Sequence, residues 1–225
     1  MARRSGFRKR RKVRQIGNAV NLTKSPGTIV PNSVFVKLAY DDSFTFDLPT
    51  GGIPVVHLFS ANSLFDPDVD VAGHQPRGFD ELMAFYNHFT VIGAKITVTV
   101  LSTHTVPCTY GIAVRTTDTK GATPAQYLES GRAVWKTHNW YKTNGGIHAT
   151  QISHKFSAPE LFNNRRPLDD DAFQGTASTG PLEEAFFHVF GFSNTATTDP
   201  ASEAPRVHIE YLAVLHEPKT LPVSS

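Results

Sequence analysis

The sequence contains a single cysteine, Cys108, among its 225 residues. One cysteine excludes an intrachain disulfide, so we expect an apolar core to hold the fold and a reducing compartment to suit the protein. Cys108 stands among apolar residues in VPCTYGIAV. We therefore predict a small buried side chain at this position and neither a nucleophile nor a metal ligand.

Long hydrophobic runs are also missing. The apolar runs have the length of a β-strand, and none approaches the roughly 20 residues that a membrane-spanning helix requires. The basic start of the chain is not followed by the apolar stretch of a secretory signal peptide. We expect neither secretion nor membrane insertion.

The motifs of common enzyme classes are absent from the sequence as well. It has no GxSxG nucleophile elbow, no HExxH zinc motif and no Gly-rich phosphate loop. Its ten histidines are scattered along the chain, and none stands at a zinc-finger spacing with cysteines. We therefore expect a protein that is not an enzyme and that has no catalytic residues, cofactor or metal ligands.

Two acidic clusters bear on cation binding. Asp66, Asp68 and Asp70 resemble the start of an EF-hand loop, but Val71 occupies the position that needs Gly, and Arg77 the position that needs Glu. We predict a solvated loop there. Asp169–Asp171 follow two arginines, and we predict a network of ion pairs with Arg165 and Arg166. The sequence leaves open whether either cluster binds cations.

Acidic residues are missing from the first 40 positions, which carry ten of the 22 Lys and Arg residues. The remaining 185 positions carry the other twelve basic residues and all 20 acidic ones. A segment of net charge +10 thus precedes one of net charge −8. Such segregation is typical of a basic tail attached to a mildly acidic body.

Eight of these basic residues lie in the stretch RRSGFRKRRKVR, residues 3–14. They are Arg3, Arg4, Arg8, Lys9, Arg10, Arg11, Lys12 and Arg14. Guanidinium groups pair with phosphate oxygens through two hydrogen bonds, and each neutralised phosphate releases condensed counterions. The stretch has one aromatic residue, Phe7, and no helix that reads bases, so we predict nucleic-acid binding that is insensitive to base sequence.

The run RKRRK at 8–12 also has the composition of a nuclear localisation signal, which predicts host nuclear import receptors as partners. A solvated charged tail is the alternative for this stretch. Residues 1–32 are polar, are broken by Pro26 and Pro31, and hold too few apolar side chains to offset the entropy of ordering. We predict a disordered arm and linker over 1–32 and one folded domain over 33–225.

The folded part consists of short apolar runs with β periodicity. In KITVTV, Ile96, Val98 and Val100 alternate with Lys95, Thr97 and Thr99, which is typical of a half-buried strand. The pattern predicts strands at 33–40, 43–49, 53–60, 89–102, 108–117, 132–142, 148–157, 183–194 and 205–217. It also predicts a helix at 78–89 with Leu82, Phe85, Tyr86 and Phe89 on one face.

Eight or nine strands with few helices indicate an all-β protein. The connections at 60–78 and 163–182 are too long for tight hairpins, so we predict that strands cross between two sheets. An eight-stranded, two-sheet jelly roll accommodates both features. An immunoglobulin-like sandwich is the alternative, but its Cys…Trp…Cys spacing is absent.

The stretch QPRGFDELMAFYNHFTVIGAKITV (75–98) adds a family resemblance. It is similar to a segment in capsid proteins of small circular, Rep-encoding single-stranded DNA viruses (circovirus-like CRESS-DNA viruses). The matching positions are Pro76, Gly78, Phe79, Asp80, Tyr86, Val91, Gly93, Lys95 and Ile96. The resemblance extends to a basic arm that leads into a single jelly roll.

This resemblance implies a coat protein that assembles with itself into an icosahedral shell, most simply T=1 with 60 copies. It further implies packaging of circular single-stranded DNA by inward-pointing arms, assembly in the host nucleus, a location in the virion, and a host-cell receptor that the sequence does not identify. We expect some of the loops at 60–78, 118–131, 163–182 and 195–204 to build subunit contacts and the outer surface. The alternatives are the coat of a small single-stranded RNA or satellite virus and a non-viral β-barrel module that binds nucleic acid.

Overall fold

The computed structural model describes residues 30–71, 73–102, 106–138 and 148–220. Its strands are β1 (Ser33–Ser43), β2 (Val55–Ser60), β3 (Tyr86–Ser102), β4 (Cys108–Arg115), β5 (Ala133–His138), β6 (His148–Ser157), β7 (Gln174–Gly175), β8 (Phe186–Ser193) and β9 (Arg206–Pro218). Its short helices are α1 (Phe79–Met83), α2 (Ala125–Leu128) and α3 (Ala158–Leu161), with 3-10 turns at Thr50–Gly52, Pro167–Asp169 and Asp171–Phe173. None of the helices in these ranges has the length and hydrophobicity needed to cross a membrane.

The strands form two antiparallel sheets that pack face to face. Sheet one has the order β1-β9-β3-β6, with the two-residue β7 also paired to β3, and sheet two has the order β2-β8-β4-β5. Partners are nested along the chain: the first long strand lies beside the last, and β4 lies beside β5. This nesting is what results when one long hairpin is rolled into a sandwich, and it defines a jelly roll. The predicted eight-stranded fold is confirmed.

The core lies between the sheets and is rich in aromatic side chains. In sheet one, Ile96 faces Ile209 and Val98 faces Val207 across the β3–β9 ladder, and all four are buried. From the middle of the core, the Tyr211 hydroxyl donates to the Ser60 carbonyl at 2.7 Å, which satisfies the polar end of a fully buried ring. The two sheets are thereby joined by a hydrogen bond as well as by apolar contact.

Cys108 is fully buried at the start of β4, as the sequence predicts. Burial raises the pKa of its thiol to about 11. The thiolate is the nucleophilic and metal-binding form of cysteine, and it is not populated at neutral pH under these conditions. The side chain acts as a small apolar group in the core.

The predicted strand at 43–49 is wrong. Phe44, Phe46 and Leu48 do alternate into the core, but they form only one isolated bridge, Phe46 with Glu203. The opposing chain carries Pro205, which accepts from the Phe44 N–H and has no N–H to return. The ladder therefore ends at Ser43, and the next residues pack without regular pairing.

The predicted helix at 78–89 is also wrong over most of its length. Helix α1 ends at Met83, and the chain enters β3 at Tyr86. The spacing of the aromatic residues fits a helical face, but pairing with β9 and β7 places Tyr86 and Phe89 in a strand and leaves Phe85 exposed. Tertiary pairing outweighs local propensity here. Of the predicted strand at 132–142, residues 139–142 lie outside the described residues.

Sheet two has a second apolar cluster on its outer face. Helix α2 lies over this face and stacks Tyr127 on Phe190 at 4.7 Å between ring centroids. Phe190 in turn lies over Gly111, its direct partner on β4. A Cβ built on Gly111 would stand 2.7 Å from the Phe190 Cε1 atom, so the ring occupies the space that a side chain would need.

We predict that Gly111→Ala lowers the free energy of unfolding by about 1–3 kcal/mol, because it overpacks a closed stack of rings. Guanidinium denaturation of the wild type and the variant measures the difference. Adding Phe190→Leu to Gly111→Ala should recover part of the loss, since the smaller side chain frees space. A Gly111→Ala protein within about 0.5 kcal/mol of the wild type would show that the ring moves without cost.

Candidate assembly surface and nucleic-acid attachment

The basic stretch 3–14, with all eight of its predicted nucleic-acid and import residues, lies outside the described residues. Its roles stay predictions. The structure describes the chain from Val30, where it enters the fold. Val30 packs against the core, and the Pro31 carbonyl accepts a hydrogen bond from the Tyr86 hydroxyl at 3.1 Å. The N-terminal segment therefore joins the sandwich at a defined end of sheet one.

Two histidines lie beside this junction. His88 and His216 are direct partners across β3 and β9, and their rings stack at 5.8 Å. Burial lowers the pKa of His216, and the neighbouring His88 lowers it further. Glu217 lies 3.4 Å from His88, and Thr90 contacts His216 at 3.2 Å. This arrangement disfavours a positive charge on His216.

The residues that carry the family resemblance build this same end of the fold. Gly78 has a φ of 88° at the start of α1, a left-handed conformation that glycine adopts without strain. Phe79 meets Phe89 edge to face at 5.5 Å in the core. Gly93 lies where the β3–β9 register shifts, which indicates a bulge. Gly78, Phe79 and Gly93 thus shape the backbone and the core at this end of the fold.

The acidic cluster at 66–70 is a structural clamp. Asp68 accepts from the His57 Nε2 at 2.8 Å and from two backbone N–H groups. Asp70 accepts from the Leu58 N–H at 2.9 Å and pairs with Lys120 at 2.8 Å. Both carboxylates are thus engaged by donors. The cluster fastens the loop at 60–78 to β2 and to the loop at 118–131.

Asp169–Asp171 are likewise engaged within their own loop. Asp170 accepts from the Ala172 N–H at 3.1 Å and from Asn164 Nδ2 at 3.0 Å. Of the predicted ion pairs, only Arg166 with Asp169, at 3.6 Å, is present among the described residues. Both of its side chains are exposed, so it contributes little stability. Across the described ranges, no group of three or more His, Cys, Asp or Glu side chains is placed to hold a metal ion.

Large apolar side chains are exposed on two of the loops that the sequence assigns to subunit contacts. Leu182 is 85% exposed and Leu168 is also exposed on the loop at 163–182, and Val71 is 60% exposed on the loop at 60–78. Single exposed apolar residues are common on protein surfaces. Here they lie on long connections that are otherwise held firmly, so the loops present apolar area on a fixed support.

The loop at 118–131 is held from beneath by His188. Its Nε2 donates to the Thr117 carbonyl at 2.8 Å, and burial lowers the pKa of this histidine. At the other end of the loop, Arg115 donates to the Gln126 carbonyl and its guanidinium lies 4.6 Å above the centre of the Tyr127 ring. A neutral His188 is therefore part of what positions this loop.

Comparisons with known proteins find fold-level similarity to solved structures. A structure of Desmodium yellow mottle tymovirus aligns with a TM-score of 0.48 at 13% identity, covering 89% of this chain and 97% of that one. The 60-mer of BFDV capsid protein aligns at 0.45 and 10%, covering 86% and 98%. Tobacco necrosis virus aligns at 0.45 and 11%, covering 86% and 87%. No protein-family model matches the chain, and no curated protein does.

We predict that acid weakens the fold in part through His188. An unfolded histidine titrates near pH 6.5, and the folded one titrates lower, so between the two values the unfolded state binds more protons. The stability that neutral His188 contributes is fully present above about pH 6.5, and it is lost as the pH falls from that value toward the pKa of the folded histidine. Denaturation at about pH 7.5 and about pH 5.5 measures the loss.

The test variant is His188→Gln, which keeps an N–H for the Thr117 carbonyl. It should lose less stability on acidification than the wild type does. An unchanged pH response in His188→Gln would assign the acid sensitivity to other groups.

Proposed function

We propose that this chain is a viral coat protein that assembles into a small icosahedral shell and packages nucleic acid through its basic N-terminal segment. The observation that carries the proposal is the division of charge along a jelly-roll chain. Ten basic residues without one acid precede residue 41, and the fold that follows is net negative. The segment suited to binding polyanions is thus separate from the folded domain that would form the shell.

The fold supports self-association. In sheet one, β1 is an edge strand of eleven residues, and no strand within the described ranges pairs with its outer side. At the opposite edge, β6 is covered, since Lys136 donates to the Gln151 carbonyl and His138 contacts Thr150. Exposed edges and apolar loops favour further pairing unless they are covered, and closed symmetry covers them with identical copies. We propose 60 copies, in T=1 symmetry.

The cargo we propose is circular single-stranded DNA. Eight basic residues in each of 60 chains bring about 480 positive charges to the lumen, enough to neutralise several hundred phosphates. The DNA assignment follows from the resemblance at 75–98, because an arginine-rich segment binds single-stranded RNA equally well. Entry into the host nucleus is the second role we propose for the run at 8–12.

We predict that the full-length protein forms uniform closed particles that contain nucleic acid. Replacing the eight basic residues of 3–14 by glutamine should leave the shell and remove most of the cargo, because this segment holds eight of the 22 basic residues and no acid. Electron microscopy reports the particles, and the ratio of absorbance at 260 and 280 nm reports the cargo. A matched control replaces Arg77, Arg165 and Arg166, which lie on loops of the fold.

Three outcomes oppose this proposal in different ways. Equal cargo in the glutamine variant would remove the packaging role from the segment. Full-length protein that stays at tens of kilodaltons would favour the β-barrel binding module instead. Packaged material that resists DNase and is digested by RNase would replace the DNA cargo by RNA.

We also predict that residues 1–14, fused to a fluorescent reporter too large to diffuse through nuclear pores, carry that reporter into the nucleus. Replacing the five basic residues at 8–12 by glutamine should abolish import. Replacing Arg3 and Arg4 alone is the control and should leave it. A reporter that stays cytoplasmic with the native segment would assign this stretch to nucleic acid only.

A further inference from the structure

The open face of sheet one has a charge opposite to that of the domain that carries it. Residues 33–225 hold 13 basic and 20 acidic side chains, a net charge of −7. On this face, outward positions of the four long strands carry four basic residues and two acidic ones, which gives +2. They are Lys37, Lys95, Lys155 and Arg206 against Asp41 and Glu210.

Two of these lysines oppose each other directly. Lys95 on β3 and Lys155 on β6 are register partners, and both are exposed. Side chains in this relation have Cβ atoms about 4.5–5.5 Å apart, and like charges there destabilise a sheet. The two facing ammonium groups therefore repel each other in the isolated domain, and Glu210, which faces Lys95 from β9, offsets part of that repulsion.

Neither lysine forms an ion pair in the described structure, but Lys95 lies close enough to Glu210 to help Lys37 lower the pKa of that carboxyl. Glu210 faces Lys95 from β9, but its carboxylate pairs with Lys37 at 2.5 Å. The other cation of this face, Arg206, is bound to Asp41 at 2.7 Å. Among the described residues, Lys95 and Lys155 form no ion pair. On this face, they are the two cations without an ion-pair partner among the described residues.

Shallow depressions flank the lysine pair on both sides. One, of about 270 Å³, is lined by Lys37, Lys95 and Glu210 together with Gly93, Ala94, Tyr211 and Leu212. The second, of about 280 Å³, has Arg132, His154, Lys155 and Glu160 among its lining residues. Three lysines thus lie across the sheet, with Glu210 between Lys37 and Lys95, and Arg132 lies beyond Lys155, just before β5 of sheet two. We call these four cations the lysine row: Lys37, Lys95, Lys155 and Arg132.

The same face exposes an aromatic ring. Phe35 lies two residues before Lys37 on β1, points to the same side and is 66% exposed. Bases of single-stranded nucleic acid stack on such rings, while their phosphates follow neighbouring cations. A sulfated glycan also matches the cations but has no planar base for the ring. The ring together with the row therefore favours single-stranded nucleic acid as the ligand.

We infer that the lysine row and Phe35 form a second contact for single-stranded nucleic acid, on the folded domain itself. Phosphates would lie along Lys95, Lys155 and Arg132, with a base against Phe35. This rests on the proposed function, and it adds an orientation: the open face of sheet one is turned toward the lumen. Bound phosphate would also offset the repulsion between the two facing lysines.

The test compares full-length protein with the double variant Lys95→Gln and Lys155→Gln. Binding of fluorescent oligothymidylate is measured by anisotropy over a series of NaCl concentrations. Each phosphate contact on a single strand contributes about 0.7 to the slope of log affinity against log salt, so losing two should reduce the slope by about 1.4. At moderate salt the affinity should fall about five- to tenfold.

The matched control is Arg77→Gln with Arg165→Gln, which changes the net charge equally on exposed loops away from this face. It should keep the wild-type slope. Phe35→Leu should weaken oligothymidylate several-fold and leave heparin binding unchanged, because heparin has charges but no bases. A lysine variant whose slope equals that of the control would overturn the inference.

Two further results separate this inference from the proposed function. If the glutamine variant of 3–14 loses all binding and the lysine variant loses none, the coat protein with its basic segment stands and the second contact fails. If the lysine variant loses heparin but keeps oligothymidylate, the row serves a glycan and the inference also fails. Residual binding in the variant of 3–14, abolished by adding the lysine changes, supports it directly.

Discussion

The central pairing of β9 with both β1 and β3 is the constraint on which the rest of the structure depends. Because successive side chains of a strand point to opposite faces, one register decides which residues enter the core and which remain outside. The β3–β9 register sends Ile96 and Ile209 inward together, and it leaves Lys95 and Glu210 facing out. The same strand brings His216 opposite Ser33 and so fixes where the N-terminal segment meets the sandwich. The register of β9 with its two neighbours therefore determines the core, the open face and the point where the N-terminal segment joins.

Long loops on such a sandwich need their own support, and the molecule provides it with polar contacts beneath them. His57 with Asp68, Lys120 with Asp70, and His188 with the Thr117 carbonyl each tie a connection to a strand. Buried or half-buried donors and acceptors that find partners in this way rigidify the segments they join. The loops can then differ in surface chemistry without loosening the sheets.

Much of the fold is readable from the sequence, because the alternation of apolar residues is strong where a strand has one buried face. The start of β1 at Ser33 and both bounds of β6 were predictable on that basis. The failures have physical causes. Phe44 and Phe46 alternate as a strand does, but Pro205 stands on the opposing chain and cannot donate. The spacing of Tyr86 and Phe89 is compatible with a helix, but both residues pair with β9, more than a hundred residues later in the chain, and so lie in a strand.

The surface was less predictable than the core. The alternation in KITVTV indicates that Lys95 lies outside, but nothing local indicates that Lys155, sixty residues later, stands opposite it. The hydrogen bond between His57 and Asp68 likewise requires the loop at 60–78 to fold back on β2, the strand that precedes it. Composition alone shows a basic segment and an acidic body. The net charge of the body does not reveal that one of its faces is positive. Only the pairing of strands reveals such a face.

The junction at Pro31 has a mechanical consequence. Tension in the N-terminal segment enters the domain at the first residue of β1, whose eleven register pairs with β9 run from Ser33 to Ser43. A pull along the strand axis loads these pairs in shear, so many hydrogen bonds share the force and none is peeled alone. A chain that enters its domain in this way resists extraction of the edge strand when it is pulled.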